Sequence, residues 1–400
     1  MRIAFLTHYY PPELGAAPAR IAALATGLAA RGVEVTVHTG FPHYPSGSVE
    51  PPHRNRPWRV ERVDGIRVVR SAVYATPNRG TVRRLLDHAV LAGSALAASP
   101  LGGPADLVVA ESPPLFTAAA GVAFARSKRA PLALNVSDLW PQSAVELGAL
   151  RRRNVIRLAE RLETACYAGS AAITAPTEGI VARLARHPAA AGRQHLVPPA
   201  VDVERFAGVP PVVPPAPDAP LRLLYAGTLG MAQRMETVLD AMTLLRADEA
   251  HLTIVGDGPD RAALRDRVAR QPLPHVEVVG PLPPAAVVGR YADCHVGLVP
   301  LRDLPLFRGA LPTKLYEVMA AGRPAILAAR GEAADLVVRT GAGVVVPPED
   351  PHALAAAVRD LRSSPARATA MGSAGVGVAD AHSRGAAIDR WAALAADLTR

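Results

Sequence analysis

Short apolar runs alternate with amphipathic helical stretches along the whole of this chain, and a single proline-dense stretch interrupts them. In the first half the strand candidates are Arg2–Thr7, Val33–His38, Gly65–Arg70, Asp106–Ala110, Pro131–Ser137 and Ala171–Ala175. Helical patterns lie between them at Ala17–Ala30 (closed by Arg31-Gly32), Thr81–Ala98, Pro114–Arg126 and Arg151–Ala168. Strands separated by helices are expected to be parallel, because only a crossover brings the next strand back in the same direction. The interruption, Val209–Pro220, reads VPPVVPPAPDAP and is too rich in proline for a helix or a central strand. The alternation then restarts with Leu221–Gly227, His251–Gly256, Val276–Gly280, Val296–Leu301, Pro324–Ala329 and Gly343–Val346. The fold class this predicts is α/β, two Rossmann-like domains of similar size with a hinge near residues 200–220. Open parallel sheets bind ligands outside the carboxyl ends of their strands. Two such domains facing across a cleft would place a site between them.

Composition narrows the classes. The 400 residues exceed what one core needs, since single cores stop growing near ~250–300 residues. Half the chain is hydrophobic and a fifth charged, as in a packed globular protein. Aromatics make up only 4%, which speaks against a base-stacking surface and against nucleic acid as a partner. Basic residues outnumber acidic ones 44 to 35, a formal charge of +9. Only Lys128 and Lys314 among them are lysines, so the arginine excess reads as coding bias more than as a signal for anionic partners. Cys166 and Cys294 make neither a disulfide framework nor a metal set, and a reducing cytoplasm is the default expectation. The opening MRIAFLTHYYPP reads as a first buried strand, too short for a signal-peptide core. No run reaches the ~18 apolar residues of a membrane span; Ala89–Ala105 is broken by Gly93, Pro100, Gly102, Gly103 and Pro104.

Several chemistries lack their motifs. No complete G-x-G-x-x-G, no P-loop and no G-x-S-x-G is present, nor are His pairs at metal spacing or a D-x-D that would hold Mg²⁺ against a nucleotide. The richest stretch is Leu301–Pro348. A loop ending in Pro312-Thr313 enters a helix that stops before Gly322, and Lys314 and Glu317 share a face of its first turn. The free N–H groups and dipole of such a helix end favour phosphate. Lysine there suits a diphosphate, and glutamate the vicinal hydroxyls of a ribose. A surface ion pair is the plain alternative, weakened because lysine is otherwise almost unused and an apolar strand candidate follows.

Leu311–Ile326 resembles the donor-site motif of family 4 glycosyltransferases, retaining enzymes of the two-Rossmann GT-B fold. Further segments are similar to the family's in the expected order: FLTHYYPPELG (Phe5–Gly15), SDLWPQSAVELG (Ser137–Gly148), LLYAGTLG, VGDGP (Val255–Pro259), the loop Leu301–Ala310, and Gly341–Pro348. Their flavour is closest to a branch that includes aminodeoxyhexose (fucosamine) transferases of polysaccharide assembly. The resemblance implies donor contacts at Gly15, Gly227, Thr228, Arg234, Gly256, Gly258, Pro281, Leu282, Gly309, Ala310, Leu311, Pro312, Lys314, Leu315 and Glu317. It implies catalytic parts for Asp138, Lys314 and Glu317, no cofactor beyond the nucleotide-sugar substrate, and no metal. The family's usual signature has two glutamates flanking seven residues. Glu317 matches the second, but the first falls on Gly309, so backbone N–H groups of Arg308–Leu311 are expected to take its place. Thr228 and Gln233 also stand where the family tends to carry Arg and Lys, leaving Arg234 as the neighbouring cation.

On the N-terminal side each candidate has two readings. Gly15 either lets the backbone approach a substrate or is a loop glycine with positive φ. Asp138 either orients an acceptor hydroxyl or serves as an N-cap or Asx turn. His8 and His43 are either cleft-loop candidates or, the plainer reading, solvated loop histidines. The Arg-flanked apolar stretch 79–101 either packs on its sheet or meets a membrane surface and a lipid-linked acceptor.

The expectation is therefore an enzyme moving a sugar from a UDP-type donor to a hydroxyl acceptor with retention of configuration. It would work in the cytoplasm or at the inner face of a membrane. A UDP-sugar 2-epimerase of similar fold is the alternative, and a solute-binding protein is the non-enzymatic rival. The expected layout is an acceptor domain over 1–200, a donor domain over 201–383, and a helix over 384–400 that crosses back to the first domain.

Overall fold

The apolar runs of the first half are the strands of one sheet: β1 (Arg2–Leu6), β2 (Glu34–Gly40), β3 (Trp58–Val63), β4 (Ile66–Ser71), β5 (Leu107–Ser112), β6 (Leu132–Val136), β7 (Ala172–Ala175) and β8 (Gln194–Leu196). The computed structural model describes residues 1–400 apart from 14, 15, 45, 55, 77–80, 147, 149, 217 and 218; at 16, 81 and 82 it describes the backbone alone. The strand order is β3-β4-β2-β1-β5-β6-β7-β8, and every pairing is parallel except β3 with β4. β5 and β7 are buried along their whole length, as parallel strands covered on both faces must be.

The antiparallel β3 corrects the sequence reading, which began this strand region at Gly65. WRVERV and IRVVRS flank Asp64-Gly65, and both turn residues have positive φ, 50° and 80°. That is the two-residue hairpin turn whose twist matches the strands it joins. β3 alternates between exposed and half-buried residues, as an edge strand with one wet face does.

The second half forms its own sheet from β9 (Leu221–Ala226), β10 (Ala250–Val255), β11 (Val276–Gly280), β12 (Val296–Pro300), β13 (Ala325–Ala328) and β14 (Gly343–Val346). Its order is β11-β10-β9-β12-β13-β14, all parallel. The order reverses between β9 and β12, the point at which an open sheet leaves a crevice at its strand ends.

The chain divides into two compact units, Met1–Pro198 with Ala387–Arg400, and Pro199–Ala386. Each has its own core. The proline-dense stretch lies in the second unit, where the buried Arg323 guanidinium donates to the carbonyls of Pro210 (3.0 Å), Tyr291 (2.9 Å) and Ala292 (3.1 Å). The final helix, Arg384–Leu398, returns to the first unit, as the resemblance implied. Its Ile388, Trp391, Leu394 and Ala395 pack in the core that holds Ile3, Phe5 and Ile21. Gly27 makes room for it, since a Cβ at that position would stand 2.2 Å from Ile388 Cδ1.

Candidate functional site

The chemistry of the second unit gathers at the carboxyl ends of β9 and β12. Beyond β12 the chain runs through a short 3-10 turn, Pro305–Gly309, into the helix Thr313–Ala320, with Pro312 in extended conformation as its N-cap. Leu315, Tyr316, Val318 and Met319 bury one face of this helix. The next positions round the cylinder, Lys314 and Glu317, are half-buried. Among the described residues, the N–H groups of Leu311, Thr313 and Lys314 find no acceptor, whereas that of Leu315 is taken by Pro312 O at 2.9 Å. Three donors and a lysine are thus left at a helix start, where the dipole favours an anion.

Lys314 does not form the surface ion pair with Glu317 that was the plain alternative. Its Nζ donates to the Tyr225 hydroxyl at 2.5 Å and lies 4.1 Å from the centre of that ring. The Tyr225 hydroxyl in turn donates to Thr228 O at 2.5 Å. A neutral phenol is the ammonium's one hydrogen-bond partner among the described residues. Burial therefore lowers the lysine's pKa to about 7, with Glu317 opposing the shift. Burial raises the pKa of Glu317, against the pull of Arg205, Lys314, Tyr291 and Arg384.

Glycines let the ends of β9 and β10 close together beside this lysine. A Cβ at Gly227 would meet Lys314 Nζ at 2.9 Å, and one at Gly256 would stand 1.8 Å from the Gly227 carbonyl oxygen. Both have φ of +150°, which side chains rarely adopt. Gly258 packs in the same way on the carbonyl of Leu229.

The other candidates are placed as follows. Thr228 and Pro281 are exposed, and Leu282, Gly309, Ala310, Leu311 and Pro312 are half-buried. Arg234 reaches Glu349 at 3.7 Å rather than Lys314. Leu315 is fully buried in the core and its N–H is already taken by Pro312 O, so neither its side chain nor its amide is offered to a donor. Sequence reasoning missed Tyr225, which it read only as part of a buried strand.

In the first unit Gly15 lies outside the described residues, as does Arg79. Asp138 is half-buried just after β6, and its carboxylate makes no hydrogen bond among the described residues, so the capping reading finds no partner. His8 and His43 are not solvated. They are 2% and 4% exposed and converge on Asp87 of the helix Thr81–Ala97, because β1 and β2 end side by side under that helix. The same helix buries Leu91 and Ala95 but exposes Arg83, Arg84, Leu86 and Val90. No helix among the described residues is long and apolar enough to cross a membrane.

Two Rossmann-like units, with a lysine-bearing helix start at the switch point of the second, are the arrangement that the resemblance to glycosyltransferases implied. Comparison with known proteins agrees. The family profile "Glycosyl transferase 4-like domain" matches residues 15–200, and "Glycosyl transferases group 1" matches 220–364. Together these cover most of the chain, which belongs to the glycosyltransferases they describe. WcaI of Escherichia coli strain K12, whose name assigns it to the glycosyl transferases of colanic acid biosynthesis, is 27% identical over 372 residues, 88% of this chain and 89% of that one. A mannosyltransferase of Mycolicibacterium smegmatis, named as GDP-mannose-dependent and acting on phosphatidylinositol monomannoside, is 30% identical over 222 residues, 50% of this chain and 53% of that one. Among solved structures, sucrose-phosphate synthase from Thermosynechococcus elongatus superposes with a TM-score of 0.77 at 20% identity, over 99% of this chain and 98% of that one. HepE of Anabaena, solved with UDP-glucose, does so at 0.70 and 14%, over 99% of both chains. The structural likenesses speak to the fold alone.

Proposed function

We propose that this chain transfers a hexose-type sugar from a UDP-linked donor to a hydroxyl acceptor, with retention of configuration and without a divalent metal, in the assembly of a surface glycan. The observation that carries this reading is the half-buried Lys314 ammonium, held by a neutral phenol beside three N–H groups that have no acceptor among the described residues. A diphosphate supplies the charge that site lacks. Lys314 and the amides of Leu311, Thr313 and Lys314 hold the leaving group, which is the role a metal would otherwise take. Glu317 accepts from the ribose hydroxyls, and Asp138 meets the acceptor hydroxyl with a carboxylate that makes no hydrogen bond among the described residues. Retention follows the family resemblance, with attack on the face that the diphosphate leaves. The HepE complex with UDP-glucose and the polysaccharide role in the name of WcaI support the choice of donor and pathway class.

The test is a panel of UDP-sugars, with GDP-mannose as the contrasting donor, read for nucleotide release with and without acceptor. Acceptor-dependent release of UDP that persists in excess EDTA, with no gain from Mg²⁺ or Mn²⁺, is the expected result. Release without acceptor would favour the epimerase, and dependence on Mg²⁺ would remove the metal-free mechanism.

The acceptor is proposed to be lipid-linked and met at an anionic membrane surface. Support comes from the exposed Leu86 and Val90 beside Arg83 and Arg84, and from the lipid in the name of the mycobacterial relative. Co-sedimentation with anionic vesicles should fall several-fold when Leu86 and Val90 become Ser. Leu91 has to be left alone in this experiment, because it is 1% exposed and belongs to the core. A protein that stays in the supernatant at low salt would point to a soluble acceptor.

A further inference from the structure

The second cluster of buried polar side chains lies in the first unit and plays no part in the donor reading. His8 follows β1, His43 follows β2, and Asp87 projects from the helix Thr81–Ala97; their side chains are 2–3% exposed. His8 Nε2 stands 2.9 Å and His43 Nε2 3.2 Å from the same oxygen, Asp87 Oδ2. The ligand atoms of the three residues all lie within 4.8 Å of one another.

A count of protons on His43 makes this more than a polar knot. Its Nδ1 is 2.9 Å from the carbonyl oxygen of Phe41, which can only accept, so Nδ1 carries the hydrogen. In a neutral ring Nε2 is then a bare lone pair aimed at a carboxylate. The contact is repulsive unless a proton or a cation lies between them. Asp87 Oδ1 and His8 Nδ1, moreover, are buried with no partner among the described residues. An unmet carboxylate oxygen in the interior is costly.

We propose that His8, His43 and Asp87 bind one divalent transition-metal ion of the zinc class. Two imidazoles and a carboxylate form an N/O set suited to zinc, with a fourth position open. Ligands about 2.0–2.1 Å from such an ion in tetrahedral geometry stand roughly 3.3 Å apart; the two imidazole-to-carboxylate spacings, 2.9 and 3.2 Å, are within a few tenths of an ångström of that, and all three ligand atoms lie within 4.8 Å of one another. The Nδ1–H of His43 bonded to Phe41 O is the outer hydrogen bond that orients a metal-ligating imidazole. The loop is fixed further by the Glu13 carboxylate, which accepts from the backbone N–H groups of His43 (3.1 Å) and Tyr44 (3.0 Å). His88 packs edge-on against His8, with ring centres 4.7 Å apart, and is not among the three residues whose ligand atoms converge. The ion ties the ends of two central strands to the helix that covers them.

The experiment uses the full chain, without a histidine tag. Protein purified without chelator is assayed for metal by elemental analysis. After dialysis against a chelator it is titrated with Co²⁺, whose visible spectrum reports its ligands. About one zinc per chain, and a Co²⁺ spectrum that saturates at about one equivalent, are expected. His43→Gln and Asp87→Asn should abolish both, while His88→Gln retains them. Wild-type protein that holds no metal and gives no Co²⁺ spectrum would overturn the proposal and leave His43 as a buried imidazolium. So would a spectrum that survives in both His43→Gln and Asp87→Asn. UDP affinity measured in parallel should not change on chelation, which keeps this result separate from the donor reading.

Discussion

The two units bury charge at the same place in the same kind of sheet, the carboxyl ends of central parallel strands, yet their charges are incomplete in opposite ways. In the second unit a lysine ammonium rests on a phenol, and Glu317, three residues on along the same helix, is itself pushed toward neutrality by burial. That site lacks an anion. In the first unit Asp87 faces the Nε2 atoms of two imidazoles, and with its Nδ1–H bonded to Phe41 O a neutral His43 offers that carboxylate only a lone pair. That cluster lacks a cation. Such buried charge is expensive unless it is matched, so each deficit indicates the chemistry of what the site is built to receive.

The largest effect should come from forcing apart the glycine ends of β9 and β10 beside Lys314. Gly256→Ala would set a methyl 1.8 Å from the Gly227 carbonyl at a φ that alanine rarely adopts. We expect a loss of roughly 3 kcal/mol in the stability of the second unit, read as a lowered urea midpoint, with UDP binding abolished. The first unit, probed by tryptophan fluorescence from Trp391 in its core, should keep its transition. A wild-type midpoint in the variant would mean that the glycine ends of β9 and β10 are not in contact as described.

Lys314→Ala tests the missing anion directly. UDP affinity should fall by ~1.5–3 kcal/mol, the worth of a charge-assisted hydrogen bond, while uridine affinity holds; equal losses for both would make Lys314 structural. The lysine's folded pKa, about 7, lies below its unfolded value of 10.5. Between those two values the unfolded chain therefore binds a proton that the empty folded chain does not, and stability rises with pH across that window. Binding of the diphosphate restores the proton, so UDP affinity should weaken above pH 7, by at most about tenfold per unit. The slope should vanish in Lys314→Ala, and a slope that persists there would belong to another group.

The legibility of the two sites in the sequence follows from distance along the chain. Lys314 stood out because arginine is used almost everywhere else, and its helix start carried local signals in Pro312 and Gly322. Its partner Tyr225 is 89 positions away and looks like any other strand residue until β9 and β12 are paired. The histidine cluster is more scattered still, with Asp87 79 positions from His8 and 44 from His43. No motif spacing exists to find it, and only the packing of the helix Thr81–Ala97 over β1 and β2 turns two loop histidines into buried ones. The hairpin at Asp64-Gly65 is a different case. Its signal is local and strong, but the alternation of apolar runs with helices favours parallel strands throughout and masks it.

The smallest expected effect belongs to Glu317, and it sharpens the contrast by separating charge from hydrogen bonding. The side chain sits one turn beyond the diphosphate contacts, beside the buried Tyr291 hydroxyl and within the field of Arg205 and Arg384. Glu317→Gln keeps the shape and one carbonyl acceptor but removes the carboxylate that can accept from two vicinal hydroxyls. UDP should then bind about fivefold more weakly, near 1 kcal/mol, the net worth of one ordinary hydrogen bond. The 2′-deoxy analogue has already lost one of those hydroxyls and should be affected less, so the ratio of the two affinities is the measurement that counts. Were both nucleotides to weaken equally, the carboxylate would be serving Tyr291 and the two arginines rather than a ribose, and the anion-seeking site of the second unit would reduce to Lys314 and the helix start alone.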